Sequence, residues 1–179
     1  MISYIFDDSL KESGTSVILH VETNDLHNPK CIQITVISAD TKQILFDSLV
    51  QCKDYISPFA TQIHNLSKDD LTNAPDPSEI FNEFFSVIEN KNIVCFNADF
   101  TTEALYNTFN SFEMISKLHQ ERFYCLMYIY CDIHRRKSVK LSDISHEETT
   151  GEKDVAFQGC IAVSHVLDQL IINQMFAPK

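Results

Sequence analysis

Residues 16–24, reading Ser-Val-Ile-Leu-His-Val-Glu-Thr-Asn, constrain this chain more than any other stretch. They form a short apolar run of strand type. Strand side chains alternate, so Leu19 and Val21 turn into packed interior while His20 and Glu22 share the other face. Where a buried strand feeds polar groups out of a sheet, an acid-x-acid pair is a common way to hold a divalent metal, because hard cations want several oxygens at short range. Here the first of the pair is His20. The chain therefore reads either as a metal-dependent enzyme or as the shell of one.

The 179 residues suit a single domain with a proper core. A formal net charge of -11 weighs against unassisted binding to nucleic acid, whose phosphates are met by Lys and Arg. No basic region leads into a long apolar run at the N-terminus, and no stretch approaches the roughly 18 residues that span a bilayer. The expected location is cytoplasmic, with no membrane association. Cys31 and Cys95 lie inside strand-like runs, and Cys-x-x-Cys spacing is absent. Buried reduced thiols are expected rather than disulfides or a zinc site.

Residues 1–15 show weak patterning and read as an N-terminal arm or brief edge element, leaving 16–176 as one domain. Alternation predicts strands at 16–23, 31–37 and 44–50, a meander joined by short links. Pro58 is placed to open a short helix that Asn65 closes in a left-handed conformation. Ser67 and Asp70 are spaced to cap another helical turn. A clear amphipathic helix begins at Pro77, with Ile80, Phe81, Phe84, Phe85 and Ile88 at helical spacing. Residues 92–97 form a continuous apolar central strand. Helix is predicted over 101–109, strand over 123–125, helix over 126–136 and a long final helix over 154–176. Three strands followed by alternating helix and strand predict an α/β fold with a mixed five-stranded sheet flanked by helices.

Several local strings resemble the DnaQ-like exonucleases of the DEDDh group, which have a ribonuclease-H-like fold. Residues 17–23 resemble the family's first motif, an apolar run followed by Asp-x-Glu-Thr. Residues 56–75, from Ile56 through His64 and Asn65 to Pro75, are similar to its I-P-x-x-A-x-x-I-H-G-I-T segment with a following acidic Ala-Pro stretch. Residues 93–101 match its Asn-Ala-x-Phe-Asp motif. Residues 154–159 fall where a His is followed five residues later by an Asp, and 123–127 look like its short strand carrying Cys and Met.

The resemblance implies four acids holding two magnesium or manganese ions that flank the scissile phosphate, with a His as general base. Carried over residue by residue, the three Asp positions become His20, Thr101 and Gly159, the base becomes Asp154, and Glu22 alone is kept. Asp99 and Glu103 flank Thr101 on the opposite face of its helix and do not replace it. The expectation is an exonuclease-fold protein with no family chemistry and no bound cofactor. At most, His20, Glu22 and Asp154 would hold one zinc or manganese. The plainer account is that His20 and Glu22 bond to each other.

Candidate nucleic-acid contacts are Thr23 and His64 near the cleft and the basic run with Arg135, Arg136 and Lys137, whose plainer reading is a solvated helix end. Two functions survive. One is a silent binding or regulatory module for a protein partner or a single-stranded DNA or RNA end, with acidity favouring the protein. The other is a 3'-5' exonuclease or other phosphoesterase with an unconventional metal site. Homodimers are common among relatives of this fold.

Overall fold

The computed structural model describes residues 1–145 and 155–175. The expected meander is present: β2 (Ser16–Thr23), β3 (Cys31–Ser38) and β4 (Ile44–Leu49) pair antiparallel in sequence. β5 (Asn92–Cys95) lies parallel to β2 on its other side, and β6 (Arg122–Cys125) lies parallel to β5. The sheet has six strands rather than five, with the segment Ile2–Ser3 (β1) at one edge, in the order β1-β6-β5-β2-β3-β4. The extra edge strand, β1, runs parallel to β6 with Ile2 opposite Phe123. Two residues carry no readable period, so only pairing with β6 reveals this strand.

Alternation along β2 divides the core. Val17, Leu19 and Val21 face one cluster, built with α2 (Pro77–Ile88), α3 (Ala98–Thr108) and α4 (Phe112–Gln120). Phe81 and Phe84 of α2 both meet Phe109, with ring centroids 5.0 and 5.5 Å apart, so they are core and not a base-stacking platform. Ile18 faces the opposite cluster, built with α5 (Leu126–Ile133) and α6 (Val155–Met175). His20 and Glu22 share Ile18's face of the strand.

Local chemistry sets most helix starts. Ser57 accepts from the Ala60 N–H ahead of α1 (Pro58–His64), and Asn65 ends that helix at φ 56°. Asp76 and Glu79 close a reciprocal capping box on α2. Asn97 caps α3, which starts at Ala98 rather than 101. α4 is an addition to the sequence reading. Ser111 caps it, but Leu118 is its only buried residue, so its apolar pattern is thin. The Asp70 carboxylate accepts from the Ser67 N–H and hydroxyl as anticipated, yet the segment that follows makes turns instead of helix. α5 stops at Ile133, and Arg135 takes a left-handed backbone at φ 53°.

All six cysteines are buried thiols outside any disulfide. One expectation is corrected: Val155–Asn173 within α6 is long and apolar enough by length and composition to cross a membrane. In the fold its Cys160, Val163, Val166, Leu167 and Leu170 are buried in the cluster beneath the sheet, which accounts for the apolar composition.

Candidate functional site

The end of β2 opens into a cavity of about 460 Å³. His20 and Glu22 of β2, Phe59 and His64 of α1, Thr101 of α3 and Gly159 of α6 all line it. Four separate elements therefore bring together residues that are distant in the chain.

His20 Nε2 lies 3.2 Å from Glu22 Oε1, with the carboxylate side chain 9% exposed and the imidazole 25%. The strand alternation delivers this pair directly. Above it, α6 approaches β2 so closely that a Cβ at Gly159 would stand 2.6 Å from His20 Cδ2 and Nε2 and 2.7 Å from Cε1. Glycine is what permits the imidazole to lie there. The ring occupies the space a side chain at 159 would enter.

Thr101 is buried near the start of α3, beside the Cys95 thiol, whose pKa burial drives far upward. Asp99 and Glu103 are exposed. Asp99 instead accepts a 2.8 Å bond from the Tyr4 hydroxyl, a contact that raises the phenol pKa to about 12. Thr23 lines the cavity but donates to the Asp25 carbonyl at 3.1 Å. His64 is 3% exposed. Its Nδ1 accepts from the Leu66 N–H at 3.0 Å, which puts the proton of the neutral ring on Nε2, and Nε2 makes no hydrogen bond of good geometry among the described residues. Burial holds the His64 pKa below its ordinary value, opposed by nearby Glu22.

The structure separates the basic run from this site. Arg135, Arg136 and Lys137 are exposed beyond α5 and do not line the cavity, although Leu141, Ser142 and Ser145 just after them do. Asp154 lies outside the described residues. Among the described residues, no three His, Cys, Asp or Glu side chains converge as a metal cluster would require.

Sequence reasoning missed the character of the walls. Asp25 adds a second carboxylate, and among the described lining residues there is no Lys or Arg. Leu26, Phe59 and Ile63 are 59%, 57% and 55% exposed and belong to the same lining. Phe59 and Ile63 stand four apart on α1, a spacing visible in sequence that a core-facing helix shares. The pattern alone did not say which way the face turned.

A family model described as Exonuclease, RNase_T, matches residues 17–151. No curated protein sequence matches the chain. Among solved structures, Exonuclease X in complex with 5' overhanging duplex DNA superposes with a TM-score of 0.66 at 15% identity, covering 88% of this chain and 92% of that one. E. coli Exonuclease I in complex with a dA16 oligonucleotide gives 0.64 at 15% identity, covering 86% of this chain and 41% of the other. One chain of the structure of the yeast NOT1 MIF4G domain co-crystallised with CAF1 gives 0.61 at 12% identity, covering 91% of this chain and 81% of that one. At these identities the likeness is one of fold.

Proposed function

The chain belongs to the RNase_T exonuclease family, and from that premise we propose that it uses the fold as a binding module and does not cut phosphodiesters by a two-metal route. The observation that carries this reading is the seat of His20 on Gly159, since both are positions where the family pattern expects an acid. An imidazole and the gap it fills stand in place of two carboxylates.

The donor set does not suit the family's metals. Two divalent ions bring four positive charges, against Glu22 and Asp25 in the described lining. Magnesium further demands several oxygens in near-octahedral array, and an imidazole and a glycine supply none while a threonine hydroxyl supplies one neutral oxygen in place of a carboxylate. Loss of a general base alone typically costs about 10² to 10⁴ in rate. A protein partner is the better-supported ligand, given the net charge of -11 and a lining without Lys or Arg. Structures of similar fold hold either kind of partner: DNA with Exonuclease X and Exonuclease I, the NOT1 MIF4G domain with CAF1.

A second reading is a nuclease with one unconventional ion. It is favoured by the pairing of His20 and Glu22, both metal-ligand types, at the end of β2. Incubation with labelled single-stranded DNA and RNA in magnesium, manganese and zinc separates the two. No shortening is expected. Shortening that Glu22→Ala abolishes would overturn the binding-module reading, and a band shift lost on neutralising Arg135 and Arg136 would replace the protein partner with a nucleic acid.

A further inference from the structure

We propose that the cavity seats a large apolar side chain from a basic peptide segment of a partner protein. This rests on the reading above, in which metal ions do not claim the cleft. The first support is shape. At about 460 Å³ the cavity falls within the range of ligand pockets, about 300–1,000 Å³. Its lining includes the apolar side chains of Phe96, Phe100, Val155 and Ala162, with the hydrogen-bonded His20–Glu22 pair among its polar members.

The second support is the mouth. Single exposed apolar residues are ordinary on a protein surface, but Leu26, Phe59 and Ile63 are each more than half exposed and border one opening. A small ligand sunk in the cavity would leave that rim wet. The backbone and neighbouring side chains of a peptide anchored by one residue would cover it, the usual arrangement in which one buried anchor carries the affinity and its surroundings exclude water.

The third support is charge. Glu22 and Asp25 line the cavity, no Lys or Arg joins them among the described lining residues, and burial keeps His64 towards its neutral form. No Lys or Arg among the described lining residues offsets a phosphodiester backbone at short range, whereas Lys or Arg flanking an apolar anchor meets Asp25 and a chain of net charge -11.

The test is selection of a random displayed-peptide library on the full chain. Enriched peptides are then remade and measured by fluorescence anisotropy against wild type, Phe59→Ser, Ile63→Ser and Asp25→Asn. Enriched sequences should share a Phe, Leu or similar anchor beside Lys or Arg. Affinity should fall about tenfold or more in Phe59→Ser, in the manner of a lost anchor contact. It should fall less in Asp25→Asn, with a weaker salt dependence. Phe59 and Ile63 are exposed and Asp25 half-buried, and thermal melts verify that the variants fold. Absence of enrichment, an acidic or uncharged consensus, or unchanged binding to the Phe59 and Ile63 variants would overturn the proposal, as would displacement of the peptide by a single-stranded oligonucleotide bound more tightly. The same preparation is assayed for nuclease activity: degradation sinks the binding-module reading itself, while its absence alongside failed enrichment sinks this inference alone.

Discussion

The His20 imidazole lies across Gly159 so closely that a Cβ at 159 would meet its Cδ2 and Nε2 at 2.6 Å. Two residues from opposite ends of the chain thereby share one volume. The ring also borders an open cavity and so has somewhere to go if displaced.

Gly159→Ala should swing the His20 ring away and break its contact with Glu22. Alanine in a helix interior gains about 1 kcal/mol over glycine, and a hydrogen bond is worth about 0.5–1.5 kcal/mol, so the variant alone should unfold in urea close to wild type. In a His20→Ala background the same change should stabilise by about 1 kcal/mol, because nothing then opposes the alanine. Equal effects in both backgrounds would show that the two residues do not compete for space.

Millimolar magnesium should leave the thermal midpoint unmoved. A ligand at a hundred times its dissociation constant stabilises by about 2.7 kcal/mol, well within reach of a melting curve. A rise in magnesium, manganese or zinc that disappears in Glu22→Ala would favour the metal-dependent reading.

Stability should fall on acidification through a window set by His64. Burial lowers its pKa in the fold below the ordinary value of 6.5. As pH drops through 6.5 the unfolded chain takes up a proton that the folded ring refuses, so the folded state loses ground. The loss is complete once pH passes below the lowered folded value. His64→Asn, which retains an acceptor for the Leu66 N–H but does not titrate, should flatten this slope relative to wild type in urea titrations across that range.

Thr108→Val should cost about 1–3 kcal/mol, since it strands a buried donor. The Thr108 hydroxyl accepts from the Cys31 N–H at 2.8 Å and donates to the Ala104 carbonyl at 2.6 Å, tying the end of α3 to the start of β3. Thr108→Ser should retain most of that stability. Denaturant midpoints for the two variants provide the comparison.

Much of the molecule was written locally. Alternation in β2 put His20 beside Glu22, Pro58 and Asn65 bounded α1, and the Phe81–Phe84 face of α2 declared itself core, because strand period and helix caps depend on neighbours within a few residues. The motif strings likewise carried the fold. β1 and α4 escaped, the one too short to show a period and the other burying only Leu118.

The site divides along the same line. Sequence alone supplied which side chains stand at the end of β2, and the family resemblance supplied the expectation that His20, Thr101 and Gly159 fall where its acids would be. It could not say that Gly159 admits the His20 ring, that Phe59 and Ile63 turn outward to rim a cavity, or that Arg135 and Arg136 stand away from its lining. Those facts belong to the packing of α1 and α6 against the sheet, and contacts between residues far apart in the chain leave no period for a local pattern to display.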